Sequence, residues 1–137
     1  MTTARRKRTA YWGITGSFAG LMVLSGALYV AGAPMIRETL THLGYPAYLL
    51  VILGGAKLIG AVALLQTRSP TLREWAYAGF TIDLIGAIAS HLFTGDSLGV
   101  ASVAALFLLV LAASYTLKPA ESGIVAARER READIAA

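Results

Sequence analysis

Two charged side chains stand where charge is costly. Lys57 lies inside an apolar run from about Pro46 to Leu65, and Asp83 lies inside a second from about Trp75 to Phe93. A lone charge in mid-membrane costs about 2.5–3.5 kcal/mol even on lenient insertion scales, so each of these needs a partner. Lys57 is eight residues before Leu65 and Asp83 is eight after Trp75. At about 1.5 Å per residue, both sit ~12 Å from the same membrane boundary. An ion pair between adjacent antiparallel helices is the direct expectation. Its bland reading is a buried pair that fixes register without doing chemistry. Its functional reading is a cavity in which one of the two exchanges a proton or holds a polar head group.

Ser90 falls one heptad from Asp83 on the same face, and His91 follows at the outer end of that run, so both join Lys57 and Asp83 as the candidate intramembrane site. His42 and Tyr45, from the preceding connection, are the candidate outer mouth. The histidines fall in no metal-ligand spacing and have no cysteine near them, so interfacial hydrogen bonding is their simpler role and no metal is expected.

These residues need helices to hold them, and the composition says in which solvent. The chain has 137 residues, 56% hydrophobic and only 15% charged, which is far from a water-soluble domain. Its net charge of +4 equals the contribution of Arg5, Arg6, Lys7 and Arg8, so no basic surface remains to follow a nucleic-acid backbone. The absence of cysteine excludes disulfides, thiolate metal sites and thiol redox relays.

Four uncharged or singly charged runs of about 20 residues, at 11–31, 46–65, 75–93 and 97–117, predict four spans. Short connections make successive spans antiparallel neighbours. The expected fold is therefore an all-α integral membrane protein, an antiparallel four-transmembrane-helix bundle. A basic segment at 1–10 precedes the membrane domain at 11–117, and a tail at 118–137 follows it. The first run is too long for a cleaved signal peptide, and Pro34 stands where cleavage would occur. Ten of the twelve Lys and Arg residues fall on one side of this arrangement and only Arg37 on the other, which puts both termini in the cytoplasm of an inner membrane.

Local signals refine the elements. Pro34 to Leu43 carries apolar residues on one side and polar ones on the other, predicting a short surface helix that ends at Gly44. Thr71-Leu72-Arg73-Glu74 reads as a capping box, making Thr71 and Glu74 the cytoplasmic helix cap of the third span. Gly95 suits its far end. Small residues flanking Lys57 and Asp83, among them Gly54, Gly60, Gly79 and Gly86, predict close approach of these two helices. The Gly16 to Gly20 GxxxG spacing suits internal packing first and an oligomer face second.

The strings Leu43-Gly44-Tyr45-Pro46, Leu53-Gly54-Gly55-Ala56-Lys57-Leu58-Ile59-Gly60 and Glu74-Trp75-Ala76-Tyr77-Ala78-Gly79-Phe80, followed by Asp83, Gly86-Ala87, Ser90-His91 and Gly95-Asp96, resemble the DoxX-like family of small bacterial membrane proteins. The likeness covers roughly Tyr11 to Leu117. It implies an accessory protein, or one that binds a small lipophilic molecule such as a quinone, with redox systems as its setting. It implies no agreed reaction and no catalytic residues. Two other functions remain open: an enzyme acting on a lipid or quinone, and a proton-coupled transporter, each using Lys57 and Asp83. The lipid bilayer is the first partner, and a membrane-protein partner or a second copy are the candidates beyond it. No nucleotide-binding motif is present.

Overall fold

The computed structural model describes residues 2–119 and 122–136, with side chains at 2–119 and 129–136. Six helices follow one another: α1 (Thr3–Val30), α2 (Pro34–His42), α3 (Leu49–Leu65), α4 (Pro70–Thr94), α5 (Leu98–Leu117) and α6 (Ser122–Ala136). α1 packs on α3 and α5, and α4 packs on α3 and α5. Contacts run in opposite chain directions in each pair, Lys57 with Asp83 and Gln66 with Arg73 for α3 and α4, Glu74 with Lys118 and Tyr77 with Ser114 for α4 and α5, Thr15 with Ser114 and Phe18 with Phe107 for α1 and α5, so these neighbours are antiparallel. The N-terminal turns of α1, the α3–α4 turn and the C-terminal turn of α5 therefore lie at one end.

The span count is three, not four. Among the described residues, α1, α4 and α5 are long and apolar enough to cross a membrane. α3 has 17 residues, about 25 Å at 1.5 Å per residue, which falls short of ~30 Å of hydrocarbon. The expected run at 46–65 overestimated it because Pro46, Ala47 and Tyr48 are apolar but precede the first helical turn. An apolar window counts residues, whereas spanning needs helical rise. The four-span bundle does not stand, and the placement of both termini no longer follows from a count of spans. α1 extends beyond its apolar run, since the basic residues Arg5 to Arg8 are helical and continuous with the apolar part.

The core forms where α1, α3, α4 and α5 meet: Phe18, Ala19, Met22, Ala61, Leu64 and Phe80 are among its buried members. Phe18 stands edge-on to Phe80 at 5.2 Å and to Phe107 at 6.3 Å, linking three helices through one side chain. At Gly26 and Gly54 the backbones of α1 and α3 approach closely. A Cβ on Gly26 would lie 2.9 Å from the Gly54 carbonyl oxygen, and one on Gly54 would lie 2.8 Å from that of Gly26. Small residues there do what the sequence reading assigned to the α3–α4 pair. Between α3 and α4 only Gly60 is used closely, under the Phe80 ring, while Gly79 and Gly86 face open space. The expected tight seam is a groove instead. Gly16 and Gly20 are also open, so their GxxxG spacing serves no internal packing.

Candidate functional site

The α3–α4 turn sets the register that brings Lys57 to Asp83. Gln66 organises it: its side-chain amide donates to the Ala63 and Ser69 carbonyls, and its carbonyl oxygen accepts from the amides of Arg68 and Ser69, each at 2.8 Å. The Arg73 guanidinium donates to the Gln66 backbone carbonyl at 2.6 Å. Ser69 is the N-cap of α4, its hydroxyl accepting from the Leu72 amide, and Pro70 follows at the first helical position. The capping box expected at Thr71 and Glu74 is thus displaced by two residues. Thr71 lies inside the first turn, and Glu74 reaches across to α5, where it accepts from Lys118 and from the Tyr115 hydroxyl at 3.1 Å. A proline that fits the first helical turn moved the start upstream of the threonine.

With that register, the Lys57 ammonium donates directly to the Asp83 carboxylate. The ammonium also stands 5.5 Å from the centre of the Tyr29 ring on α1, a cation–π contact that adds a second stabilising face. Lys57 is 8% exposed, so the pair is sheltered, yet it is not sealed. A groove of about 470 Å³ runs between α3 and α4. Lys57 and Asp83 are its two charged lining residues, and Leu53, Ala63, Trp75 and Phe80 are among the apolar ones. Ile59, Ile82 and Trp75, on its rim, are 70% exposed or more, so the opening faces sideways into the apolar surroundings of the helices.

The polar mouth assembles elsewhere. Ser90 donates to the Gly86 carbonyl at 2.7 Å, which leaves the Tyr45 hydroxyl to donate to Ser90 at 2.6 Å. His42 and His91 both meet Asp96, one on each carboxylate oxygen, at 2.7 Å. An ionised carboxylate only accepts, so His42 presents Nε2–H and His91 presents Nδ1–H. The two imidazole hydrogen bonds, that of His91 foremost, hold the Asp96 carboxyl below the usual carboxylate range. This cluster ties the end of α2 and the turn after it to the end of α4 and the α4–α5 connection. None of its members lines the groove that reaches Lys57 and Asp83. The expected outward-opening cavity from His42 and Tyr45 through Ser90 and His91 is therefore two separate features. Among the described residues no group of His, Asp and Glu is placed to hold a metal ion.

Several polar residues escaped the sequence reading. Asp96 is one of them, since only the fold brings the distant His42 to it. Thr15, Tyr77 and Ser114 form a buried hydroxyl chain, Thr15 to Ser114 at 2.5 Å and Tyr77 to Ser114 at 2.7 Å. Tyr11 is fully buried, its hydroxyl without a partner among the described residues, and Tyr11 and Tyr77 are both core residues. A single Thr or Ser in a span is unremarkable in sequence, so no signal there could have found this chain.

An all-α chain with three long apolar helices and charged groups paired between helices is a multi-pass membrane protein. A model of the DoxX-like family matches residues 13–114, and the chain belongs to that family. No curated protein and no solved structure matches it.

Proposed function

We propose that the protein binds a small lipophilic molecule in the groove between α3 and α4, with the molecule's polar end at Lys57 and Asp83. The observation that carries this reading is the groove itself: about 470 Å³, apolar on nearly all sides, and ending on one donor and one acceptor. That volume falls within the usual range for small-molecule sites, and few convergent polar groups in an apolar wall are what orient a ligand. The side-chain ammonium supplies hydrogen bonds to a carbonyl, and the carboxylate accepts one from a hydroxyl. A quinone and its quinol offer those two groups in turn, which makes a quinone the first ligand to try and a redox system the setting. The role is accessory: the pair holds a head group. The sided basic excess favours a bacterial inner membrane with the Arg5–Arg8 end in the cytoplasm.

Trp75 lines the groove and provides the readout. Titrating purified protein with a short-chain quinone should quench tryptophan emission saturably. The quench should fall sharply in Trp75→Phe, which retains Trp12, and in the double variant Lys57→Met with Asp83→Leu. A double variant that is folded and binds the quinone unchanged would overturn the reading.

A further inference from the structure

The end of the molecule opposite the histidine cluster carries a charge pattern that the groove does not use. Arg5, Arg6, Lys7 and Arg8 are exposed and lie in the first turns of α1. At about 100° per residue they point around the whole circumference of the helix, so they present no single face to a protein partner. Because α1 is continuous from Thr3 to Val30, these charges are carried rigidly. At about 1.5 Å per residue they stand ~4–9 Å beyond Tyr11, within the depth of a headgroup layer.

The same end holds Arg68, exposed in the α3–α4 turn, and Arg73, which is 8% exposed. Glu74, the one carboxylate of the α3–α4 turn and of α4's first turns, is engaged by Lys118 and Tyr115. No described carboxylate pairs with Arg5, Arg6, Lys7, Arg8, Arg68 or Arg73. Arg73 is the telling case: a buried residue whose guanidinium bonds one backbone carbonyl and whose Nε finds no partner among the described residues. A buried cation without a counter-charge is costly, and the described residues supply none.

We infer that this end is a collar for the phosphate headgroups of anionic phospholipids. Membrane-proximal Lys and Arg clusters attract such headgroups electrostatically, and the attraction decays within a Debye length. The N-terminus of α4, directly at Arg73, adds the positive end of a helix dipole to the same field. Anionic headgroups provide the missing counter-charge at the depth where the bases sit.

The two tryptophans report on this end: Trp12 is one turn from Arg8, and Trp75 is two residues from Arg73. The full chain is reconstituted in phosphatidylcholine bilayers, and brominated phosphatidylglycerol or brominated phosphatidylcholine is titrated in as the quencher. Brominated phosphatidylglycerol should bind roughly tenfold better at low salt, with the preference falling several-fold at about 1 M salt. Replacing Arg5, Arg6, Lys7 and Arg8 by Gln should remove most of that preference, and Arg73→Gln part of it, while Arg37→Gln at the other end should leave it intact. Added inorganic phosphate should not compete. Equal quenching by the two lipids in the unaltered protein at low salt overturns the inference, whatever the variants do. A preference that salt does not weaken, or that free phosphate abolishes, overturns it as well.

Discussion

The pairing of Lys57 with Asp83 makes each side chain hostage to the other. Removing one leaves a sheltered charge without its partner, whereas removing both leaves an apolar wall. Lys57→Met or Asp83→Leu alone should therefore destabilise the protein by about 3 kcal/mol, and the double variant should recover most of that loss. Thermal unfolding in detergent compares the three directly. Asp96 behaves differently because it lies outside the spanning helices. Its carboxyl is held low by His91 and His42, so its stabilising contribution is fully present above the ordinary carboxylate range. That contribution is lost as pH falls through the depressed value. Hydrogen exchange at Gly95 to Ser97 should thus show protection at pH 6 that decreases in acid below about pH 4, and Asp96→Asn should remove the pH dependence.

Among the elements, glycine use separates what a helical wheel can and cannot say. Gly26→Ala places a Cβ 2.9 Å from a backbone oxygen of α3. It should cost about 1–3 kcal/mol, because backbone cannot step aside as a flexible side chain does. Gly16→Ala meets nothing and should be neutral or stabilising by up to about 1 kcal/mol. Likewise Ser69→Ala should cost about 1 kcal/mol and Thr71→Ala little, since only Ser69 caps α4. Melting temperatures of the four variants test both contrasts. The wheel placed Lys57 and Asp83 at matching depth from charge and spacing alone, and the two do meet. It also put Gly54 on the face shared with Lys57, but a face does not name its neighbour, and Gly54 went to α1. The His42–Asp96–His91 cluster was half legible. The histidines stood out by type, whereas the carboxylate that joins them is 54 residues from His42 and reaches it only through the fold. Membrane character was legible throughout because hydrocarbon imposes it on every residue of a span. The span count was not, because helix starts depend on turn geometry that composition does not encode.

For the molecule as a whole, the groove and the short helix are neighbours, since α3 forms one wall of the site. The apolar height beside α3 is ~25 Å, against ~30 Å along the 20 residues of α5. Lipids on the two flanks thus face walls of unequal height, and the bilayer must thin beside α3 at a fraction of a kcal/mol per Å of mismatch. That elastic cost is a lever on the site. A thin bilayer matches the α3 flank and relaxes the groove rim, while a thick one strains it. Reconstitution across a series of acyl-chain lengths should therefore give quinone affinity that declines as the bilayer thickens. The protein's binding would then depend on the thickness of its membrane as well as on the chemistry of its ligand.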